Sequence, residues 1–595
     1  MYDYKEPWKL KIVEILSGLN DSIDPAQVIA EIPPKSEMGD LGFPMFGFAK
    51  LFRKAPAQIA QMVVAKLPGS VADGPYVNIR LNRSELARNI ISQLLDSAND
   101  SSKTSVGRPP TLAGKRVMVE FSSPNTNKPL HLGHLRNDVL GESISRILSS
   151  CGAEVRRVCI INDRGIHICK SMLAYKEQGE GKTPESEGIK SDRFVGDWYV
   201  RFSQGLKEET EALEGEKGLS KKEAEAQAPL LLRAQELLRQ WEAGDSETVE
   251  LWKKMNAWAI DGWKETYKRT GVFFDKYYYE SQTYLLGKDE ILKGLEKGFF
   301  YRQEDGAVAV DLTAEKLDKK ILLRSDGTSI YITQDFGTAI NRHKDWPFDK
   351  LVYVVGSEQQ YHFKVLFVLL EKLGYEWAKN LYHLSYGMVN LPEGKMKSRE
   401  GTVVDADDLI DSLRDMALEE IRNKEREEAL SDPEETAEKI ALGALHYFLL
   451  QVSPTRDILF DPKESLSFNG NTGPYLQYMG ARISSLLRKA EERASVSAAP
   501  PQLELLTGDA EWELIKTLGA YNDAVAAAAD NMDPSLVAAY LYELAKAFSR
   551  FYHDCPILGA EEPELAGARL ALCKAVLVVL RNAMNLVCIP FLEAM

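Results

Sequence analysis

The chain of 595 residues carries 73 Lys and Arg against 88 Asp and Glu, a formal net charge of −15, and 44% of its residues are hydrophobic. This composition is that of a folded globular protein with several domains, and it excludes collagen-like, low-complexity and wholly disordered classes. The acidic balance also excludes a polycation that coats nucleic acid, so any RNA contact must come from local basic faces.

Neither a membrane span nor an export signal is expected. The most apolar run, 575–580, is six residues long, far short of the roughly 20 residues that a spanning helix needs. The first 19 residues carry three acids and lack an apolar core. The six cysteines form no CxxC pair, so buried free thiols in a reducing compartment, the cytoplasm, are favoured over a zinc knuckle or disulfides.

Residues 1–105 predict a small α/β unit, which ends in a linker rich in Ser, Thr, Pro and Gly at 97–114. Between Lys50 and Arg88, seven cations stand against two acids, a local basic excess in an acidic chain. The expected elements are a helix at 8–19, a helix broken at Pro56 over 42–67, a strand at 76–81 and a polar helix from Ser84.

From residue 115 the pattern becomes that of an α/β domain, expected over 115–404, and its start predicts a βαβ unit. The segment at about 175–320 is predicted as an insert, with a polar mobile loop at 175–192 and charged helix at 204–268. Strand-like runs lie at 116–121, 153–162, 321–327, 329–333, 351–356 and 386–391, and helices at 132–150, 335–343 and 360–373.

Nearly everything after Asp405 predicts helix. We divide this part into a helical junction over 405–465 and a helical domain over 466–595. The expected architecture is therefore a small N-terminal α/β domain, a central α/β domain with insertions, and an all-α C-terminal domain.

The string HLGH, His131 to His134, is the most specific motif and lies at a strand–loop–helix junction. With eight His and 41 Gly in the chain, chance explains it poorly. Gly133 removes a side chain, so that a flat base can lie against the helix backbone. The two imidazoles share a helix face and can donate hydrogen bonds to phosphate oxygens, beside the free N–H groups of the first helical turn. The alternative is a pair of surface histidines that cap a helix.

A second motif, GKMKSREG at 394–401, is a short cationic loop with glycine at both ends. Such a loop can place two or three positive charges on a polyphosphate and stabilise the charge that develops there. Alone it would be interpreted as an ordinary solvated basic turn. Its position after HLGH in the same α/β unit favours the polyphosphate contact over the basic turn.

HLGH followed about 260 residues later by a KMxS loop resembles the class I aminoacyl-tRNA synthetases, and the flanking residues are similar to the arginyl-tRNA synthetase family. The resemblance spans nearly the whole chain in the family's order and is weakest over 175–270. It rests on VEFSSPNTNKPLHLGHLRNDVLGESISRIL (119–148), GDLGFPMFGFAK (39–50) with YVNIRL (76–81), SIYITQDFGTA (329–339), VVGSEQQYHF (354–363), TGPYLQYMGARISSLLRKA (472–490) and LAKAFSRFYHDCPIL (544–558).

The resemblance implies a doubly wound, Rossmann-type nucleotide-binding catalytic domain between an N-terminal tRNA-binding domain and a helical anticodon-binding domain. It implies an enzyme that joins L-arginine to tRNA(Arg) through arginyl-adenylate, with ATP as substrate and Mg²⁺ as cofactor. Members of the family need bound tRNA before they activate the amino acid. We expect a cytoplasmic monomer without a membrane partner.

The same resemblance assigns residues to the site. Lys397 departs from the family's usual KMSTR loop, where serine stands third, and Ser398 or the added charge is expected to compensate. The expected catalytic residues are His131, Gly133, His134, Lys395 and Ser398; ATP is expected to contact Lys128, His131, Gly133, His134, Met396 and Lys397; and arginine is expected to contact Glu120, Asn125, Tyr331, Asp335 and Gln359.

The chemistry of the substrate supports the acids in that set. A guanidinium is planar and has five N–H donors, which carboxylates accept best. Glu120 ends the strand before HLGH, and Asp335 lies one helical turn after Tyr331, which is expected to pack the aliphatic stem. Asn125 and Gln359 would hold the amino and carboxylate ends. The alternatives are a strand-end surface acid for Glu120 and a helix N-cap for Asp335.

RNA contacts are expected on the C-terminal helices. Tyr475 and Tyr478 stand at helical spacing before a basic stripe that includes Arg482 and Lys489. Both rings can stack on splayed bases. The alternative is a tyrosine pair packed in a helical core. The expected tRNA-binding residues are Tyr475, Tyr478, Arg482, Lys489, Arg550 and Met595.

Two other functions are open on the sequence. A small-molecule nucleotidyltransferase also uses an HxGH helix on ATP, but its chemistry calls for no long helical C-terminal region. A non-catalytic RNA-binding paralogue should have lost HLGH, the loop lysine or the acidic residues, and this chain keeps them all.

Overall fold

The computed structural model describes residues 3–19, 23–99, 106–284, 286–327, 330–392, 404–424, 430–492 and 501–595. Among these residues, no helix combines the length and the apolar character needed to cross a membrane. All six cysteines are buried free thiols, as predicted.

The strands and helices follow in chain order. The described strands are β1 (Leu41–Pro44), β2 (Ser70–Asp73), β3 (Tyr76–Ile79), β4 (Arg116–Glu120), β5 (Glu154–Ile161), β6 (Lys276–Tyr279), β7 (Tyr301–Arg302), β8 (Val308–Val310), β9 (Lys320–Leu323), β10 (Lys350–Gly356), β11 (Leu381–Tyr386), β12 (Val389–Asn390) and β13 (Ile458–Leu459). The described α-helices are α1 (Glu6–Ser17), α2 (Ala49–Phe52), α3 (Pro56–Val64), α4 (Arg83–Asn99), α5 (Leu132–Ser150), α6 (Ile166–Gln178), α7 (Pro184–Glu187), α8 (Ser191–Lys217), α9 (Lys221–Gln227), α10 (Pro229–Glu242), α11 (Ser246–Thr270), α12 (Glu280–Thr283), α13 (Leu286–Glu296), α14 (Tyr331–Asp345), α15 (Gln360–Lys372), α16 (Ala406–Asn423), α17 (Pro433–Leu450), α18 (Pro462–Ser465), α19 (Gly473–Glu492), α20 (Asp509–Gly519), α21 (Tyr521–Asn531), α22 (Ser535–Asp554) and α23 (Pro563–Leu586).

A five-stranded parallel sheet forms the centre of the molecule, in the order β11-β10-β4-β5-β6. Residues 117–120 of β4 are all buried, as expected for a parallel strand that helices cover on both faces. The strand order reverses between β4 and β10, and ligands of doubly wound sheets bind at the carboxyl ends of the strands at such a point. The predicted fold is confirmed, with a small α/β unit before this sheet and helices after it.

The N-terminal unit contains an antiparallel sheet in the order β1-β3-β2. After β6, the strands β7, β8 and β9 form a second small antiparallel sheet. Helices α16 to α23 form the C-terminal part, where α19, α22 and α23 pack on one another.

The end of α23 packs against α5, the helix that follows HLGH. The hydroxyl of Ser143 donates to the carbonyl of Leu586 at 2.6 Å, and Nη1 of Arg146 donates to the carbonyl of Asn585 at 2.9 Å. Glu142, fully buried, pairs with Arg146 at 2.7 Å and with Arg157 of β5 at 3.0 Å. The helix of the predicted ATP site therefore rests on the last helix of the C-terminal part.

Two of the sequence predictions for local structure are wrong. Residues 42–44 form a strand rather than helix, because β1 pairs with β3 and buries Leu41 and Phe43. Residues 331–333 are the first turn of α14, although Ile332 and Thr333 favour strands. Ile332, Phe336 and Ile340 are buried at helical spacing, so packing overrides the local preference.

The predicted insert also differs from expectation. The expected mobile loop at 175–192 contains the end of α6, the short helix α7 and the start of α8. Thr183 caps α7 in a capping box with Ser186, so the polar residues of this stretch begin a helix instead of forming a loop. Strand β6 of the central sheet lies within 175–320, so this segment consists of two insertions separated by a core strand.

Candidate active site

The chain leaves β4 through a tight loop at the carboxyl edge of the central sheet. Ser122 and Ser123 have φ angles of 69° and 51°, a conformation that L-residues keep only where their surroundings hold it. The N–H of Ser122 donates to Oδ1 of Asn137 at 2.5 Å, and its hydroxyl lies 2.6 Å from the hydroxyl of Tyr267. The loop is therefore held by α5 and α11 before it reaches Asn125.

His131 caps α5 with its own ring. Its Nδ1 accepts a hydrogen bond from the N–H of Gly133 at 3.1 Å, and the N–H of His131 donates to Nδ1 of His134 at 3.2 Å. Because both Nδ1 atoms accept, each neutral imidazole must carry its proton on Nε2. The capping alternative is thus correct for His131, and capping leaves two Nε2–H donors available on neighbouring rings, whose centroids are 3.9 Å apart.

Both imidazoles are neutral at physiological pH. Burial and the neighbouring Lys128 lower the pKa of His131 to about 3. Burial, His131 and Lys128 also lower the pKa of His134 well below its ordinary value, and burial lowers the pKa of Lys128. The site therefore offers neutral N–H donors at a helix N-terminus, where the partial positive charge of the helix favours an anion.

Gly133 lies directly beside the ring that forms the cap. A Cβ at this position would lie 3.0 Å from Cε1 and 3.1 Å from Nδ1 of His131, closer than side chains normally approach. A larger residue would therefore require the His131 ring to shift by a few tenths of an ångström. The expected room for a base at Gly133 stays a prediction.

The two predicted arginine-binding acids, Glu120 and Asp335, lie near each other at this edge. Glu120 is buried and forms an ion pair with Arg342, which is also buried. Burial raises the pKa of Glu120, Arg342 opposes that rise and Asp335 adds to it. Asp335 contacts Nε2 of His362 at 2.6 Å. Glu120 is therefore no surface acid, and Asp335 is no N-cap because α14 already begins at Tyr331.

A third acid, Glu280, was missed by sequence reasoning. It directly follows β6, and burial raises its pKa to about 7, with Arg164 opposing the rise and Asp163 and Asp335 adding to it. The available signal was the one that marked Glu120, an acid at the end of a strand. However, β6 has only four residues, too few for an alternating pattern to stand out within a charged insert.

The other predicted arginine contacts belong to elements around the same edge. Asn125 is exposed and forms an isolated parallel bridge with Asn162, the residue after β5. Gln359 is exposed and stands at the N-cap position of α15, without a side-chain capping hydrogen bond. Tyr331 starts α14 one turn before Asp335, and its side chain lies outside the described part of the chain.

The residues of the predicted cationic loop, Lys395, Met396, Lys397 and Ser398, lie outside the described residues. The chain described from Val404 onwards runs beside HLGH. The N–H of Leu132 donates to the carbonyl of Val404 at 3.2 Å, and the N–H of Ala406 donates to the carbonyl of Leu130 at 3.0 Å. The segment after the cationic loop is therefore bonded directly to the HLGH loop.

The two tyrosines predicted to bind tRNA have different neighbours. Tyr478 and Met595 line a cavity of about 290 Å³ together with Phe468. Tyr475 instead contacts α22, where its hydroxyl lies 3.1 Å from that of Ser549. The two rings therefore do not form one packed pair.

The predicted cations of this region also lie on or beside α19. Arg482 places its guanidinium over the ring of Tyr552 in α22, 3.9 Å from the centroid. Arg550 in α22 pairs with Asp554 at 3.5 Å and is largely exposed. Lys489 is exposed in the last turn of α19.

Comparison with known proteins covers the whole chain. Family models described as the arginyl tRNA synthetase N terminal domain, the catalytic domain of tRNA synthetases class I (R), and the DALR anticodon binding domain match residues 6–81, 98–462 and 476–595. The chain is 59% identical to the arginine–tRNA ligase of Treponema denticola and 52% identical to that of Treponema pallidum, in both cases over 100% of each chain. Its structure matches the Thermus thermophilus arginyl-tRNA synthetase with a TM-score of 0.82 and 26% identity, over 100% of each chain. This chain belongs to the arginyl-tRNA synthetase family.

Proposed function

We propose that this protein activates L-arginine with ATP, forming arginyl-adenylate and pyrophosphate, and then transfers the arginine to the 3′ end of tRNA(Arg). The observation that carries the proposal is the pair of neutral imidazole donors at the N-terminus of α5, at the same sheet edge as Glu120, Glu280 and Asp335. Donors for a polyphosphate and acceptors for a cation thus lie side by side.

In the first step, a carboxylate oxygen of arginine attacks the α-phosphorus of ATP, and the bond from that phosphorus to the bridging oxygen breaks as pyrophosphate leaves. His131 and His134 donate from Nε2 to phosphate oxygens, and the backbone at Gly133 accommodates the base. These donors are already neutral and oriented, so they stabilise the developing charge without losing a proton. Lys128, Lys395, Met396, Lys397 and Ser398 complete the proposed ATP contacts.

The acids select the side chain of the amino acid. Arg342 neutralises part of the charge of Glu120, which leaves Asp335 and Glu280 as further carboxylates for a guanidinium. Tyr331 packs on the aliphatic stem, and Asn125 and Gln359 hold the amino and carboxylate ends. A neutral isostere would bring no positive charge to these acids and is rejected.

In the second step, a hydroxyl of the terminal ribose of tRNA attacks the carbonyl carbon of the adenylate. The bond to the phosphate oxygen breaks, AMP leaves, and the hydroxyl proton passes to the leaving phosphate or to water. The proposed contacts with tRNA are Tyr475, Tyr478, Arg482, Lys489, Arg550 and Met595, together with the N-terminal domain at 1–105. Bound tRNA is required for the first step in this proposal.

Mg²⁺ enters with ATP in this proposal. Within the described residues, no three His, Cys, Asp or Glu side chains come together to hold a metal, and Mg²⁺ is commonly bound through substrate phosphates while it keeps several waters. We further propose a monomer in the cytoplasm, a compartment that the buried free thiols favour. Sedimentation at a mass near 66.7 kDa tests the monomer.

Amino-acid-dependent ATP–pyrophosphate exchange tests the function. We expect exchange with arginine and tRNA(Arg) together, and none with lysine or with citrulline, the neutral isostere of arginine. Exchange that needs no amino acid would indicate a nucleotidyltransferase. Tight tRNA binding without any exchange would indicate a non-catalytic RNA-binding protein.

A further inference from the structure

No residue of the helical insert between β5 and β6, α6 to α11, contacts ATP, arginine or tRNA in the function proposed above. Its helices α8 and α11 nevertheless contact the chain on both sides of HLGH. These contacts involve the residues before the motif and the segment Val404–Asp408, which is bonded to the motif.

The first contact lies just before HLGH. Trp263 of α11 is 1% exposed, and its indole N–H donates to the carbonyl of Lys128 at 3.1 Å. Gly196 of α8 faces Pro129, and a Cβ at this glycine would lie 2.7 Å from Cδ of the proline. Residues 128 and 129 are therefore packed against α8 and α11, with no space for a side chain at position 196.

The second contact lies in the segment that is hydrogen-bonded to HLGH through Leu130 and Leu132. Oδ2 of Asp407 accepts from Nζ of Lys190 at 2.7 Å and from the hydroxyl of Thr266 at 2.8 Å. Nη1 of Arg269 lies 3.2 Å from Oδ1 of the same carboxylate. Asp407, in the segment bonded to the HLGH loop, thus accepts hydrogen bonds from three side chains of the insert.

The donors are themselves fixed. Nζ of Lys190 also donates to Oδ2 of Asp192 at 3.1 Å and to the hydroxyl of Thr266 at 2.6 Å. Asp192 is fully buried. Arg269 continues to Asp411 and Glu438, both at 2.7 Å. The network therefore joins α8 and α11 to α16 and α17.

Asp407 and Lys190 stay ionised at neutral pH. Burial opposes ionisation of Asp407, but Lys190, Thr266 and Arg269 hold its pKa below the ordinary value. Burial also opposes the charge of Lys190, and Asp192 and Asp407 raise its pKa. Loss of Lys190 would leave Asp407 with Arg269 as its counter-charge and the buried Asp192 without its ion pair to Lys190. A partly buried charge is sensitive to the loss of such a partner.

We propose that Lys190 and Arg269 are positioning residues for the ATP half of the reaction, through which the insert holds the segment Val404–Asp408 and thereby the HLGH loop. This inference rests on the proposed function, since it assigns the ATP site to HLGH. Neither residue touches ATP in this account. Their effect passes through Asp407 and the backbone bonds at Leu130 and Leu132.

The test compares Lys190→Met with Lys176→Met in the full-length protein. Lys176 is a matched control, because it also forms an ion pair inside the insert, with Glu247 at 2.8 Å, but on an exposed face. We expect Lys190→Met to lower kcat/KM for ATP in pyrophosphate exchange by 10- to 100-fold. The KM for arginine and the Kd for tRNA(Arg) should change less than twofold, and the control should match the parent. Lys190→Arg should recover most of the activity.

Hydrogen–deuterium exchange without ligands gives a second measurement that does not depend on activity. Peptides covering 128–136 and 404–411 should exchange faster in Lys190→Met than in the control, whereas peptides of α23 should not change. If the parent shows no arginine-dependent exchange of pyrophosphate, the proposed function fails, and the deuterium result still decides whether the insert holds the HLGH loop.

Two results would overturn the inference. One is an unchanged kcat/KM for ATP in Lys190→Met with unchanged deuterium uptake at 128–136. The other is an equal loss for ATP, arginine and tRNA, which would indicate general destabilisation. Should Lys190→Met fold poorly, Asp407→Asn removes the same charge pair from the other side, and it should show the same selective loss for ATP.

Discussion

Arg342 of α14 forms a buried ion pair with Glu120 of β4, a residue 222 positions earlier in the chain. The pair explains how an acid at the end of a core strand stays in the interior, where an isolated charge is costly. It also separates the roles of the acids at the sheet edge. Glu120 has an internal counter-ion, while Asp335 is half-buried beside His362.

Arg342→Gln is expected to damage both stability and arginine recognition. Removal of one partner of a buried pair costs about 3–5 kcal/mol, because Glu120 is left without its counter-ion beside Asp335. We expect a lower Tm and an arginine KM at least tenfold higher at pH 7. In the double variant Glu120→Gln/Arg342→Gln, Tm should recover in part, while the arginine KM stays high. A parent-like KM in the double variant would show that Glu120 and Arg342 serve stability alone.

Replacement of His131 or His134 by alanine should lower kcat/KM for pyrophosphate exchange by about 10²–10³-fold, or 2.7–4 kcal/mol, the range for one oriented donor to a developing charge. His131→Asn separates the two roles of this residue, because asparagine is a preferred helix cap but offers no imidazole donor. We expect His131→Asn to have the Tm of the parent and the activity of His131→Ala. His553→Ala, at an exposed position in α22, is the control. Full activity in His131→Asn would assign His131 to capping only.

The main parts of the catalytic fold could be predicted from the sequence because their signals are local. The strand at β4, the helix at α5 and the motif between them follow from apolar pattern and spacing. The Glu120–Arg342 pair could not be predicted, since it depends on the register of β4 beside β10 and on the packing of α14. Glu280 was missed for a related reason: it is placed beside the other acids only because it directly follows a strand of the central sheet.

The same limit applies to Tyr475 and Tyr478. Their spacing of three residues suggested one surface, yet the first contacts Ser549 and the second lines the cavity beside Met595. Helical periodicity predicts which residues share a face of α19. It does not predict which residues of that face contact α22 and which contact residues 590–595.

Asp138, fully buried in α5, should make stability depend on pH. Burial raises its pKa to about 8, with the hydroxyl of Ser122 opposing the rise. A carboxyl whose pKa is higher in the folded state than in the unfolded state favours folding at low pH, and this contribution falls by about 1.4 kcal/mol per pH unit until the folded pKa is passed. The Tm advantage of Asp138→Asn over the parent should therefore grow from pH 5 to pH 8 and level off above it.

The titratable neighbours of Asp138 do not change their charge between pH 5 and pH 8, so the carboxyl of Asp138 is the group that titrates there. Burial raises the pKa values of Cys159, Tyr267, Tyr277 and Tyr386, so these groups stay neutral near pH 8. A constant Tm difference between Asp138→Asn and the parent from pH 5 to pH 9 would show that the carboxyl keeps one protonation state over the whole range.

Tyr478→Ala should raise the KM for tRNA(Arg) in the charging reaction by the equivalent of about 1–3 kcal/mol, the value of one base stacked on an aromatic ring. Exchange kinetics at saturating tRNA should stay close to those of the parent. Tyr475→Phe is the matched variant, because it removes only the hydroxyl that contacts Ser549, and charging should be unaffected. Unchanged charging in Tyr478→Ala would place this tyrosine in the structural wall of the cavity beside Met595.

The contact between Ser143 and Leu586 can form only late in the synthesis of the chain. The two residues are separated by 443 positions, and at 5–20 residues per second the ribosome needs roughly 20–90 s to travel from one to the other. During that interval α5 exists without the helix end against which it rests. Until α23 emerges, the hydroxyl of Ser143 and the guanidinium of Arg146 lack the carbonyl acceptors that they have in the finished protein. A catalytic fragment that ends before α23 would lack these bonds permanently.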